Sequence, residues 1–231
     1  MIPVQELLLF CVNIVKPVAV SIIFCTMLEL LTAKEKHSFK SRVLGFIGWG
    51  RYFLALPIVW VLQKYIPLPS PLIHFSPGII APIVSLFISD FFYYWFHRFQ
   101  HKIPLLWKFH SVHHSITEIN ALNSYHHWTE DIIRFLLVGI PLNALIKVDF
   151  GEVLAIFVVL QGWGIFIHAN TKLNFGKFRI IFADTDYHRL HHSAKEEHFD
   201  KNFAAFFPVW DFLFKSLKLP KKGERIRTGL S

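Results

Sequence analysis

Apolar segments alternate with short polar stretches along the chain, and their lengths predict membrane-spanning helices. The five segments are 7–31, 43–62, 79–96, 132–145 and 153–167. A helix needs roughly 20 apolar residues to cross a bilayer core, so the first two segments are long enough and the third is borderline. The last two are shorter and are joined by residues 147–151, which predicts a hairpin that tilts or only partly crosses. The pattern predicts an all-α fold, a multi-spanning membrane helical bundle.

Composition supports the membrane class. Of the 231 residues, 53% are hydrophobic, and the mean hydropathy is +0.41, which is too apolar for an ordinary soluble domain. The net charge is +8, but the basic residues lie between apolar segments, so they indicate topology rather than nucleic-acid binding. Cys11 and Cys25 lie about 21 Å apart on one predicted helix, too far to form a disulfide.

The distribution of basic residues predicts an orientation. They concentrate at 34–42, at 98–108 and after residue 170, whereas the intervening loops carry few. By the positive-inside rule, these three regions are cytoplasmic and the N-terminus is outside. We predict two units: residues 1–78 form N-terminal transmembrane helices and a proline-rich connector, and residues 79–231 form a second unit that includes the hairpin at about 131–168.

Eight histidines form three tight clusters with the spacings H-x3-H, H-x2-H-H and H-x2-H-H. They are His97, His101, His110, His113, His114, His188, His191 and His192. Residues three and four apart share one face of a helix, so each cluster is predicted to direct two or three imidazoles at one point. Neutral imidazole suits zinc, copper, iron and nickel, and four ligands close a structural zinc site. Eight therefore indicate two metals, held by a histidine-rich helical cap on the cytoplasmic side. A histidine-rich interfacial surface without a ligand does not explain the repeated spacing.

Other histidines are candidates on weaker grounds. His168 ends the fifth apolar segment on the cytoplasmic side, where it is either a ninth ligand or a histidine hydrogen-bonded at a helix end. Of His126 and His127, we prefer His127 as a tenth candidate, and His198 is a weaker candidate than either.

Carboxylates near the clusters are candidates for holding the rings in orientation. Asp90 is the preferred one because it lies seven residues before His97, on the same helix face. Each carboxylate could equally be a helix cap or a surface charge. Those that flank the third cluster are Asp184, Asp186 and Asp200.

The motifs that are missing narrow the metal chemistry. Soluble carboxylate-bridged di-iron proteins use Glu-x-x-His pairs, and this chain has none. It also lacks H-E-x-x-H, so a zinc peptidase would lack its base. An imidazole-dominated pair of metals beside a membrane fits redox-active iron and oxygen chemistry better.

Residues 90–214 resemble the fatty acid hydroxylase/sterol desaturase superfamily of integral membrane di-iron oxygenases. DFFYYWFHRFQH, HSVHHS and HRLHHS are similar to its three histidine boxes, in order. His168 and Asn170 resemble its His-x-Asn element, and residues 200–203 and 210–214 resemble its closing elements. The stretch 125–130 departs from the family's Arg-x-His-Pro-x-Glu pattern because it lacks the Arg and the Pro.

The resemblance implies a catalytic domain at 79–231 that hydroxylates or desaturates an unactivated C–H bond of a membrane lipid, such as a sterol or fatty acyl chain. It implies two iron ions, for which zinc can substitute in a crystal, and dioxygen as co-substrate. The chain has no flavin, haem or nicotinamide fingerprint, so electrons must come from a separate cytochrome b5-like or ferredoxin-type donor with its reductase. The enzyme would lie in a bacterial inner membrane or the endoplasmic reticulum. The candidate ligands are the eight cluster histidines with His127 and His168, and the candidates for orienting them are Asp90, Asn170 and Asp186.

Two alternatives stay open. The first is a membrane metal-binding or transport protein without oxygenase activity, and the second is a family member with only a scaffold role. Transporters place ionisable ligands within their spans, whereas here the clusters follow the spans. The complete boxes favour catalysis over a scaffold.

Overall fold

The computed structural model describes residues 3–74, 80–147, 150–221 and 223–230. Within them the chain is mostly helical with almost no strand, which confirms that part of the sequence-based expectation. Strand β1 (Ile73–His74) pairs in parallel with β2 (Ile146–Lys147). The helices are α1 (Val4–Thr32), α2 (Phe39–Tyr52), α3 (Leu56–Tyr65), α4 (Ile80–Lys102), α5 (Pro104–His114), α6 (Thr129–Arg134), α7 (Ile140–Leu145), α8 (Phe150–His168), α9 (Thr185–His191) and α10 (Val209–Leu213).

Short helical turns of other types connect these elements. A π-helical segment, Phe135–Gly139, joins α6 to α7 without a break in the chain direction. The 3-10 turns are Phe53–Ala55, Ala121–Asn123, Gly176–Ile180 and Glu196–His198.

Two helical stretches in the described chain are long and apolar enough to cross a membrane, Val4–Thr32 and Phe39–Tyr65. Helix α1 exposes large apolar side chains such as Phe24, Met27 and Leu31, as expected for a surface that faces lipid. Multi-pass topology and the cytoplasmic position of the histidines stay predictions. The boundary predicted between residues 78 and 79, and positions 148–149 of the hairpin connection, lie outside the described residues.

A proline between the first two clusters turns the chain. Ile103 precedes Pro104, and the residue before a proline disfavours helical backbone, so α4 ends at Lys102. Pro104 then occupies the first turn of α5, where its missing N–H costs nothing. Helix α5 therefore packs back against α4, which brings their histidine-bearing segments together.

Helix α9 carries the third histidine cluster. Hydrogen bonds at the beginning and at the end of its first turn hold the helix in place. The Asp184 side chain accepts the Tyr187 N–H at 3.0 Å as an N-cap. The Tyr187 hydroxyl in turn donates to Asp211, a fully buried carboxylate that also accepts the N–H groups of Phe203 and Ala204. These bonds tie α9 to the segment that follows the third cluster.

A buried carboxylate joins α1 to the chain segments around the histidines. Glu29 Oε1 accepts the N–H of Ala121 at 2.6 Å and the N–H of Asn170 at 2.9 Å, while Oε2 accepts from Arg42. Asn170 lies two residues after the end of α8, and Ala121 begins the turn that leads to residues 125–130. Glu29 therefore holds two loops that border the histidine clusters.

Candidate metal centre

Nine histidines converge in two groups, and within each group one nitrogen from every ring lies within 4.8 Å of the others. The five-histidine group contains His97, His101, His110, His114 and His191, and the four-histidine group contains His113, His168, His188 and His192. The groups adjoin, since the His114 and His192 rings stack at 4.3 Å between centroids. Eight of the nine are the cluster histidines, and the ninth is His168.

Helical register explains how the clusters divide. Histidines four residues apart share a helix face, so they stay in one group, whereas the remaining member of an H-x2-H-H cluster joins the other group. Helix α5 contributes His110 and His114 to the five-histidine group and His113 to the four-histidine group. The cluster of α9 divides in the same way, with its i, i+4 pair in the four-histidine group. Each of these two clusters therefore directs two imidazoles at one point, within the predicted two or three, and directs its remaining imidazole at the other group.

Backbone carbonyl groups orient four of the rings. A carbonyl oxygen only accepts, so each of these rings carries its proton on Nδ1 and presents a lone pair at Nε2. The four Nδ1 bonds run from His97 to Phe203 O (2.7 Å), from His113 to Tyr125 O (2.8 Å), from His168 to Gly164 O (2.5 Å) and from His191 to Lys201 O (2.7 Å).

A carboxylate orients a fifth ring. His110 Nδ1 lies 3.0 Å from Glu130 Oε2. Gln100 Nε2 donates to the same oxygen at 2.5 Å, and when Glu130 is ionised this oxygen also accepts from His110, which places the proton of His110 on Nδ1. Burial raises the pKa of Glu130 to about 8, because a charged carboxylate loses its hydration there.

The resulting arrangement of lone pairs fits metal ions. Nε2 of His97 lies 3.1 Å from Nε2 of His110, and Nε2 of His113 lies 3.0 Å from Nε2 of His168. With Glu130 ionised, all four of these nitrogens are acceptors, so neither contact is then a hydrogen bond. Two nitrogens bound to one metal at about 2.0–2.1 Å and at right angles would lie about 3 Å apart.

The protonation states agree with this geometry. Burial lowers the pKa of His97 and of His168 to about 4, and lowers the pKa of the other seven well below the ordinary value. The rings are therefore neutral, as metal binding requires. Nε2 atoms of the five-histidine group that are buried without a hydrogen-bond partner belong to His101, His114 and His191.

Of the two histidines in residues 125–130, His126 lies beside the histidine groups. The sequence had favoured its neighbour His127 as a ligand. The His126 ring stacks on His113 at 3.9 Å and has a nitrogen within 4.8 Å of His110 and Glu130 ligand atoms. His127 lies outside both groups, and its Nδ1 is 2.8 Å from the Thr129 hydroxyl. His126 thus replaces His127 as the tenth candidate ligand.

Asp90 acts on the loops around the site instead of touching a ring. Its carboxylate accepts the N–H groups of residues 205, 206 and 207 at 2.8–3.2 Å. These follow Phe203, whose carbonyl binds His97, so Asp90 supports that ring through the backbone.

The other predicted orienting residues lie further away. Asn170 exchanges two hydrogen bonds with the backbone of Glu35. Asp186 pairs with Lys34 and Arg179, because it faces outward from the first turn of α9. Within the described residues, Asn170 and Asp186 form these contacts and no hydrogen bond to an imidazole, so the structure does not support their orienting roles.

The other carboxylates that flank the third cluster, and His198, have contacts of their own. Asp200 has a carboxylate oxygen 3.9 Å from His101 Nδ1 and pairs with Lys102. Asp184 caps α9. His198 lies apart from both groups, with its Nδ1 2.8 Å from the Ser193 hydroxyl.

A cavity of about 300 Å³ opens beside the four-histidine group. Its wall includes His126, His168 and His188, together with mainly apolar residues of α1, α3, α7 and α8 and of the π-helical segment. This volume is at the lower end of the range for small-molecule sites. The cavity connects the candidate metal centre with a region between helices that are apolar enough to face lipid.

Comparison with known proteins places the chain in a family. A model of the fatty acid hydroxylase family matches residues 82–216, more than half of the chain. The chain belongs to the fatty acid hydroxylase family. All nine grouped histidines lie within the matched residues. No solved structure matches the chain.

Curated relatives of this family member act on lipids, according to their names. Alkylglycerol monooxygenase from Homo sapiens is 30% identical over 143 residues, which are 62% of this chain and 31% of that protein. Ornithine lipid hydroxylase OlsE from Rhizobium tropici is 27% identical over 160 residues, 67% of this chain and 47% of that protein. Very-long-chain aldehyde decarbonylase GL1-4 from Oryza sativa is 26% identical over 211 residues, 80% of this chain and 33% of that protein. The chain thus spans between about a third and a half of these relatives.

Sequence reasoning missed Glu130 and the carbonyl groups that orient the rings. Glu130 aligns with the Glu of the family's Arg-x-His-Pro-x-Glu stretch, so that resemblance was a usable signal for it. The carbonyl groups leave no signal in the sequence, because every residue has one.

Proposed function

We propose that this chain is a membrane-bound di-iron oxygenase that hydroxylates or desaturates an unactivated C–H bond of a lipid. The observation that supports it is the apolar cavity whose wall includes His168 and His188, members of one of two adjoining histidine groups. A cavity built mainly from apolar side chains suits a hydrocarbon substrate. The family relationship supports the same chemistry, since relatives are named as a monooxygenase and a hydroxylase.

The nine grouped histidines and His126 would hold two iron ions, which supply dioxygen activation and C–H oxidation when bound. The protein contributes the rest. Carbonyl groups and Glu130 fix which nitrogen is free in five of these rings, so their lone pairs are positioned before a metal arrives. The cavity wall holds the hydrocarbon chain and excludes water from the reacting carbon.

We further propose a multi-pass membrane location with the histidine groups on the cytoplasmic face, as the basic residues predict. Electrons would come from a separate cytochrome b5-like or ferredoxin-type donor with its reductase. The net charge of +8 favours association with an acidic donor.

Metal analysis of the full chain, prepared anaerobically with excess iron, tests the two-metal centre. We expect two iron ions per chain, and a value of one or less would contradict the proposal. His113→Ala and His191→Ala remove one ligand from each group, so each should abolish turnover while the protein stays in the membrane. His74→Ala is the matched control, because His74 lies in β1 outside both groups.

Lipid analysis under isotopically labelled dioxygen tests the reaction. Membranes with the protein should contain a product that membranes without it lack. A labelled alcohol identifies hydroxylation, and an additional double bond without label identifies desaturation. Metal flux into proteoliposomes, with no oxygen-dependent lipid product, would instead support metal transport.

A further inference from the structure

A second cavity, of about 440 Å³, opens where four parts of the chain meet. These parts are the segments that follow α1 and α8, helix α9, and residues 220–226. Six cationic and three acidic side chains line this basic pocket, which leaves a net charge of +3. Its charged residues are Lys34, Glu35, Lys172, Arg179, Asp186, Arg189, Lys221, Glu224 and Arg225. An excess of positive charge around a cavity favours an anionic ligand.

The acidic side chains of the basic pocket do not neutralise all of its cations. Each of them already forms an ion pair, and the pairs are Glu35–Arg189, Asp186–Lys34, Asp186–Arg179 and Glu224–Lys195. Within the described residues, Lys172, Lys221 and Arg225 have no ion-pair partner. Like charges around one cavity repel one another, and a bound anion offsets that repulsion. These three cations are therefore available to a negatively charged ligand.

Arg189 is buried, unlike the other cations of the basic pocket. Its Nη1 donates to Glu35 Oε2 at 3.0 Å, whereas its Nη2 is buried without a hydrogen-bond partner among the described residues. A buried charged donor that lacks an acceptor is costly. The planar guanidinium matches the oxygens of a phosphate, which a compact ion such as chloride cannot offer. Arg189 and the three unpaired cations together therefore suit a phosphate group.

The segment that supplies Lys172 and Arg179 also exposes apolar side chains. Its exposed large apolar residues are Leu173, Phe178, Ile180 and Ile181. Lys34 follows α1, a helix long and apolar enough to cross a membrane, and comes soon after the exposed Leu30 and Leu31. Apolar side chains beside cations are typical of surfaces that insert into the headgroup region of a bilayer. This arrangement indicates that the basic pocket borders the layer in which phospholipid phosphates lie.

We propose that the basic pocket binds the phosphate group of an anionic phospholipid from the leaflet that borders the end of α1. A zwitterionic headgroup also carries a cationic group, which the net charge of the pocket repels. A phosphate on a soluble molecule has the same chemistry but lacks acyl chains to pack on the exposed apolar residues. The cavity admits a headgroup, whereas an acidic protein would need an interface of about 800 Å² on each partner.

Native mass spectrometry of the full chain in detergent micelles measures this binding. The probes are dioleoylphosphatidylglycerol and dioleoylphosphatidylcholine, which share their acyl chains and differ in net charge. One phosphatidylglycerol molecule should bind with a dissociation constant about tenfold lower than that of phosphatidylcholine, a ratio that corresponds to about 1.4 kcal/mol. Glycerol 3-phosphate and inorganic phosphate should bind at least about tenfold more weakly than phosphatidylglycerol, because they bury no acyl chain.

Variants assign the preference to the basic pocket. Lys172→Gln/Lys221→Gln removes two unpaired cations at exposed positions, so the chain should still fold. The preference for phosphatidylglycerol should then fall to about twofold or less, because the attraction to an anionic lipid depends on these charges. The matched control is Lys40→Gln/Lys108→Gln, which removes the same charge at exposed positions outside the pocket. Its preference should equal that of the wild-type chain.

Three results would overturn the inference. The first is equal affinity of the wild-type chain for the two lipids, or an equal loss of preference in the pocket variant and the control. The second is glycerol 3-phosphate that binds as tightly as phosphatidylglycerol, which would assign the pocket to a soluble phosphate. The third is a poly-glutamate peptide that binds the wild-type chain but not the pocket variant, without any lipid preference, which would assign the pocket to an acidic protein. Binding needs neither iron nor turnover, so these results are independent of the reaction proposed above.

Discussion

Replacing Gly164 by a residue with a side chain should stabilise the protein, and a large side chain at this position should also exclude the substrate from the cavity. It lies within α8, one turn before His168, and lines the cavity. A Cβ atom built there meets no heavy atom within 4 Å, apart from its immediate neighbours and the backbone of its own helix. A larger side chain would therefore enter open cavity space rather than a packed neighbour.

The size of the effect follows from helix propensity and from the cavity volume. Glycine in a helix interior is about 1 kcal/mol less favourable than alanine, so Gly164→Ala should raise the free energy of unfolding by that amount. For a chain of this length, the melting temperature should rise by about 2–4 °C. Gly164→Leu has a similar propensity gain, but its side chain would occupy part of the 300 Å³ cavity next to His168. It should reduce lipid product at least about tenfold, since an inserted side chain displaces the substrate from its reactive position.

Thermal unfolding followed by intrinsic fluorescence of the seven tryptophans, together with product analysis, measures both effects. Gly162→Ala is the matched control in the same helix. Its Cβ would lie 3.2 Å from Ser21 Oγ of α1, so the propensity gain is offset by a tight contact and the cavity is unaffected. Its melting temperature should rise less than that of Gly164→Ala, with product formation unchanged. Normal product formation by Gly164→Leu, or a lower melting temperature for Gly164→Ala, would refute the reasoning.

Three further outcomes test the site. His126→Ala should lower metal content and turnover, whereas His127→Ala should change neither; equal losses in metal analysis would contradict the placement of these rings. Glu130→Ala removes an acceptor for a ligand ring and should weaken metal binding by roughly 10–100-fold, while Glu130→Gln keeps an acceptor oxygen and should weaken it less in metal competition titrations. Because burial lowers the pKa of His97 and His168 from 6.5 to about 4, protons should displace metal only as the pH falls toward 4; metal release centred near 6.5 would argue against these buried neutral rings.

Local spacing was sufficient to identify the eight cluster histidines. The i, i+4 pairs lie on one helix face because of the period of the α-helix. Helix α4 ends before Pro104 because the residue that precedes a proline disfavours helical backbone. The overall helical content follows equally from apolar segment lengths. These features could be read before any tertiary contact was known.

The division of the histidines into two groups required the packed structure. His97 and His191 meet with their rings 4.4 Å apart although 94 positions separate them, and no local pattern encodes that contact. The choice of His126 over its neighbour depends on which side of the 125–130 loop faces α5. The carbonyl groups that orient the rings, and the cavity beside His168, exist only where distant segments pack together, because the side-chain sequence specifies neither the direction of a backbone carbonyl nor the space left between helices.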